Sequence, residues 1–168
     1  MLYHFSEDPT IARFDPRPHP SHPALPPAVW AIDRERAPMY FFPRDCPRIA
    51  FYRLPETTSE DADRFLGHTT ARMVIATENG WYGRIRQAKL YVYHLPPEPF
   101  TCWERGAGYY IAHESIEPLK VEPMGDLIER LTAEDVELRL MPSLWPLHDA
   151  LLASSLHFSM IRMRHASR

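Results

Sequence analysis

Leu90-Tyr91-Val92-Tyr93-His94-Leu95-Pro96-Pro97 decides the fold class. Six residues suited to a strand end on two prolines, which lack the N–H that a ladder needs. The stretch therefore reads as a short strand with a hard stop. Upstream, residues 71–77 form a nearly continuous apolar run of strand length. Asn79-Gly80 then opens either a hairpin turn or a helix. Trp81, Ile85 and Ala88 fall on one helical face, which favours the helix. Leu2–Ser6, residues 28–33 and residues 48–53 read as earlier strands, and residues 108–113, 119–121 and 136–140 as later ones. Residues 158–164 read as a closing strand or a helix tail.

Helices are few. Asp8 and Asp33 each suit the cap of a short turn, with Pro38 keeping the second one brief. Ser59 caps residues 60–66, and Gly67 stops them. Residues 124–131 form another helix. The longest runs from a Ser143 cap to about residue 155, with Leu144, Leu147, Leu151 and Leu152 as its core stripe. Many short strands with few strand–helix–strand units predict an α+β fold: a mainly antiparallel, curved or split sheet with peripheral helices.

The length, 168 residues, suits one domain over 1–168. Its 45% apolar and 24% charged residues are ordinary globular usage, so no metal or disulfide is needed to hold it together. With 19 basic and 22 acidic side chains, it has no charge bias that demands nucleic acid or a membrane surface. Proline outnumbers glycine 18 to 6, which means stiff connections. Six prolines fall in residues 15–27 (Pro16, Pro18, Pro20, Pro23, Pro26 and Pro27) and predict an extended, polyproline-like surface arm. The opening lacks a basic, then apolar, export pattern, and no apolar run approaches the ~20 residues of a bilayer span. The expectation is a cytoplasmic protein with Cys46 and Cys102 reduced.

The common catalytic and phosphate-binding motifs are absent. Neither cysteine belongs to a Cys-x-x-Cys pair, which excludes a zinc ribbon. Arg44 and Arg48 beside Cys46 would favour a thiolate, although a plain loop thiol is the simpler reading. His19 and His22 could chelate a metal weakly or simply face solvent. His4, His94 and His113 lie on strands and would make a catalytic-type metal site only if they converged. No metal is expected. Residues 40–48, Tyr-Phe-Phe-Pro-Arg-Asp-Cys-Pro-Arg, place aromatics beside two guanidinium groups. Such a stretch could stack a base and pair a phosphate, or supply core rings and a turn-fixing ion pair. The four tryptophans, Trp30, Trp81, Trp103 and Trp145, fit core positions, and Arg162, Arg164 and Arg168 a solvated end.

Two resemblances add to this reading. Leu2-Tyr3-His4-Phe5-Ser6-Glu7-Asp8-Pro9, Val29-Trp30-Ala31-Ile32-Asp33, residues 40–48 and Pro142-Ser143-Leu144-Trp145-Pro146-Leu147 resemble an uncharacterised family of short bacterial proteins with no assigned function. More distantly, Tyr3-His4-Phe5-Ser6 is similar to the first strand of the ADP-ribosyltransferase-like fold. That resemblance implies that His4 and Ser6 hold a ribose of NAD and that Tyr40 stacks the nicotinamide. The strand expected to begin with a catalytic Glu is matched by Tyr109-Tyr110-Ile111-Ala112-His113-Glu114. Tyr109 stands where the Glu would be, and Glu104 and Glu114 are out of register.

The expectation is therefore a domain that binds a nucleotide-like ligand, NAD or a related molecule, through His4, Ser6, Tyr40, Arg44 and Arg48. It is a degenerate relative of that fold, with Glu114 or Glu104 as the carboxylate of any chemistry. The alternative is a non-enzymatic interaction module that presents the proline-rich arm to a partner.

Overall fold

A computed structural model describes all 168 residues. Ten strands, β1 to β10, and four short α-helices, α1 to α4, build an α+β protein with two separate sheets. The chain divides into two compact units. One comprises residues 1–41 and 89–125, the other residues 42–88 and 126–168. No helix is long and apolar enough to cross a membrane.

The first unit is a six-stranded sheet in the order β6-β7-β2-β1-β5-β8, antiparallel at every pairing. Its strands are β1 (Leu2–Ser6), β2 (Val29–Ile32), β5 (Tyr91–Leu95), β6 (Thr101–Glu104), β7 (Tyr109–Ala112) and β8 (Lys120–Pro123). Residues directly opposite on neighbouring strands share a face, so the register sorts the side chains. Leu2 faces Leu95, His4 faces Tyr93 and Ala31 faces Tyr110. With Val29, Ala112 and Ile116, and with Phe14 laid across them, this face is the unit's core. Tyr3, Ile32, His94 and Tyr109 point to the opposite face. Pro118 just before β8 and Pro123 at its end blunt one edge of the sheet against pairing with a further strand.

The second unit is a four-stranded sheet, β10-β3-β4-β9, in which only β4 and β9 run parallel. Its strands are β3 (Arg48–Tyr52), β4 (Met73–Glu78), β9 (Val136–Met141) and β10 (His157–Ile161). Every residue of β4 is buried, as its apolar run requires of a central strand covered on both faces. Ile49, Phe51, Val74 and Ala76 pack against Phe65, Leu144, Leu151 and Leu156. The last four come from around α1 (Ser59–Asp61) and α4 (Trp145–Leu152). Helices α2 (Tyr82–Gln87) and α3 (Leu127–Ala133) complete the set.

Several local signals act as their chemistry dictates, within a few residues of where the sequence put them. Thr58, not Ser59, caps α1, which runs on as a π-turn to Leu66 and stops at Gly67 with φ +59°. Asp126 caps α3 through the N–H groups of Ile128 and Glu129, so that helix starts later than residue 124. Asn79-Gly80 opens a helical segment and no hairpin. Asp8 accepts from Thr10 in a turn that never becomes a helix. Residues 158–164 supply the closing strand β10, which begins at His157.

The proline-rich arm is not extended. Arg17 and Ala28 exchange backbone hydrogen bonds, 3.1 Å each way, and close residues 18–27 into a loop. His22 N–H donates to His19 O and Leu25 N–H to His22 O, forming consecutive turns. Ser115 Oγ and the Arg13 guanidinium both bind Asp15 at the base. Polyproline geometry has no internal hydrogen bonds of this kind. Native subtilisin, whose specificity is broad, should therefore leave residues 18–27 intact as long as the core. Cleavage there within the first minutes would show that the neck opens.

Candidate functional site

The sequence-derived site residues do not share one surface of the first sheet. His4 and Ser6 project from β1 onto the core face. His4 Nδ1 lies 3.3 Å from the Trp30 carbonyl and its ring packs on Phe14. Ser6 Oγ accepts from the Asp8 N–H. Tyr40 ends the 3-10 turn Ala37–Tyr40, and its hydroxyl lies 2.6 Å from that of Tyr109, a residue of the opposite face. Arg44 and Arg48 belong to the second unit. Arg44 is exposed. Arg48 is buried, donates to the Cys46 carbonyl at 2.9 Å and lies over the Phe42 ring.

The remaining candidates are also dispersed. Glu104 sits opposite Tyr109 at the sheet edge and Glu114 lies in an exposed bend, neither beside His4. His94 pairs with Glu122 at 2.9 Å, and His113 Nδ1 lies 3.0 Å from the Pro27 carbonyl. Since His4 and His94 lie on opposite faces, the strand histidines form no metal centre. Nor do three or more His, Cys, Asp or Glu side chains gather elsewhere. Trp103 is 42% exposed, so it is not the core residue that its type suggested.

Cys46 is fully buried, and burial pushes its thiol pKa up. The Thr77 hydroxyl and then the Arg48 charge pull the other way without offsetting it. The cations of residues 44–48 therefore do not make a reactive thiolate. Both cysteines are free, and Cys102 is exposed. Under native conditions a thiol reagent should label Cys102 quickly and reach Cys46 only after unfolding. Equal rates for the two would contradict the burial.

What the first unit does assemble is a cleft at the Leu2 end of β1. Its volume is about 560 Å³, and it is broadly open to solvent. Leu2, Pro97, Phe100 and Tyr110 line one part, and Asp33, Arg34 and Glu35 of the loop after β2 line another. Arg36 holds that loop in shape. Its backbone N–H donates to Asp33 Oδ1 at 2.9 Å, its Nη1 reaches Asp33 and Glu35, and its Nε donates to the Gly106 carbonyl. The two carboxylates are thus partly neutralised from behind, while Arg34 contributes a cation to the lining. Gly108 lets the β6–β7 turn approach this loop, and its carbonyl accepts from Asp33 N–H at 3.0 Å.

The cleft residues come from four separate segments, and no local pattern marks them. Leu2 and Tyr110 lie on the same face as His4 and Ser6, so the cleft opens at the end of the face that the first-strand reading singled out. Residues 3–166 match the model of a family whose description is a family of unknown function. No curated protein and no solved structure matches the chain.

Proposed function

The chain belongs to that family, DUF6886, and we propose that it binds a small nucleotide-like ligand in the cleft of the first unit. The observation that carries this reading is the lining: two aromatic rings, a guanidinium and two hydrogen-bond-accepting carboxylates around one concavity of about 560 Å³. Phe100 and Tyr110 supply apolar ring surface for a base, worth about 1–3 kcal/mol per stacked ring. Arg34 supplies the charge-assisted partner of a phosphate, worth about 1.5–3 kcal/mol. Asp33 and Glu35 accept from ribose hydroxyls. Contributions of this size add up to affinities near the micromolar range. NAD, ADP-ribose and AMP share the required base, sugar and anion.

Binding without turnover is the expectation, because the two carboxylates of the cleft, Asp33 and Glu35, are both held by Arg36, and Glu104 and Glu114 lie outside it. The protein acts in the cytoplasm, where both cysteines stay reduced. Titration calorimetry should show heat with at least one of the three ligands. Arg34→Ala and Tyr110→Ala should each weaken binding about tenfold while the fold persists. Absence of heat at millimolar concentration with all three would end the proposal, and steady nicotinamide release from NAD would redirect it to Glu104 and Glu114.

One observation favours an interaction role for the pinned proline loop. Its prolines are largely exposed, and its His22 meets the ring of the exposed Trp103 edge-on. A protein that docks there would protect Trp103 from oxidation, whereas a small ligand in the cleft would not.

A further inference from the structure

Three of the four buried polar or charged side chains of this protein, Arg48, Thr77 and Glu78, cluster at one end of the β3–β4 pair. Buried groups of this kind are costly unless satisfied. Arg48 and Thr77 donate to the Cys46 and Pro47 carbonyls, which leaves Glu78 to be accounted for. Glu78 closes β4 and Met141 closes β9, and these two strands are parallel. The carboxyl ends of parallel strands are where open α/β sheets place their ligands. Here the chain's own last residues lie across them. The Ser167 N–H donates to both oxygens of Glu78, at 3.0 and 3.1 Å. The Arg168 guanidinium lies 4.5 Å from the centre of the Trp145 ring, at the start of α4 just beyond β9. His165 Nε2 lies 3.5 Å from Asp45 Oδ1 beside the same strand ends.

We infer that the carboxyl ends of β4 and β9 form a receptor for an arginine-bearing peptide segment, and that residues 165–168 occupy it in cis. The chemistry is specific. A buried carboxylate accepts a peptide N–H, an indole face takes a guanidinium, and Asp45 adds negative charge at the rim. One buried group there is left over. Trp145 Nε1 is shielded from solvent with no hydrogen-bond partner. A segment that placed a carbonyl on that N–H would satisfy what the intramolecular occupant leaves unmet, and so could displace it. The partner is therefore a peptide stretch with arginine, a free N–H for Glu78 and a carbonyl for Trp145. This site is independent of the cleft in the first unit.

The test uses the full chain. Ser167→Pro removes the N–H that Glu78 accepts, and Arg168→Ala removes the guanidinium, so the double variant vacates the site without shortening the protein. The probe is an acetylated, amidated peptide of residues 162–168. It should bind the double variant at least about tenfold more tightly than the unaltered chain, and adding Glu78→Gln should abolish that gain. Equal binding to both chains, or equal binding of a probe with alanine for its final arginine, would overturn the inference. Should the double variant fail to fold, Arg168→Ala alone decides. Its Trp145 indole N–H resonance, assigned by its loss in Trp145→Phe, should shift with millimolar peptide while the other indole signals stay still. An unmoved resonance would overturn the inference equally.

Discussion

Gly108→Ala is expected to destabilise the first unit by about 2 kcal/mol or more and to weaken ligand binding in the cleft with it. Gly108 has φ +74°, which L side chains rarely adopt. A methyl group there would lie 2.5 Å from Arg36 Cδ and 2.8 Å from Asp33 Cγ. Neither neighbour can yield easily. Arg36 is fixed by Asp33, Glu35 and the Gly106 carbonyl, and Asp33 by the Gly108 carbonyl. The variant would therefore push the loop that carries Arg34 away from the Phe100–Tyr110 wall. Gly80→Ala is the control, since nothing lies within 4 Å of the added methyl and no positive φ applies. Its effect should stay within about 0.5 kcal/mol. Denaturant melts and nucleotide titrations of both variants would check the pair. A Gly108→Ala protein as stable and as competent as the parent would show that the loop is not held as described.

Phe51→Ala is expected to be the most destabilising single truncation in the second unit, costing about 3–5 kcal/mol. Phe51 is wholly buried in the middle of β3, opposite Val74, with the Arg139 guanidinium 5.6 Å from its ring centre. Removing the ring opens a void between β3 and the helices, and the flanking strand pairings on both sides of β3 limit how far it can collapse. For a chain of this size that cost corresponds to a fall in Tm of about 10 °C. A loss below about 1 kcal/mol in a thermal melt followed by circular dichroism would mean the core refills the space.

The elements that local pattern made legible are those whose burial is local in cause. Residues 71–77 and 90–95 are apolar enough to be strands in any context, and they became β4 and β5. β6 was not legible. Thr101, Cys102, Trp103 and Glu104 are all exposed, and the strand exists only because β7 offers it a ladder. The arm failed differently. Its composition points to polyproline, but His19 and His22 pack their rings on Trp30, and the turns that bring them there replace the extended form. The candidate site failed on faces. Nothing in the spacing of His4 and Tyr40 reveals that Tyr40 bonds to Tyr109, whose side chain leaves the opposite side of the sheet. The cleft needs a loop after β2, a turn after β5 and a residue of β7 to meet, and that meeting is a property of strand order, which no local window contains.

The most direct test of the proposed function is a titration of the uniformly 15N-labelled full chain with AMP, read residue by residue from the amide spectrum. Saturable shifts confined to residues 33–36, Phe100 and Tyr110, and reduced in Arg34→Ala, are the predicted result. An unchanged spectrum at millimolar AMP, or shifts that leave those residues untouched, would contradict it.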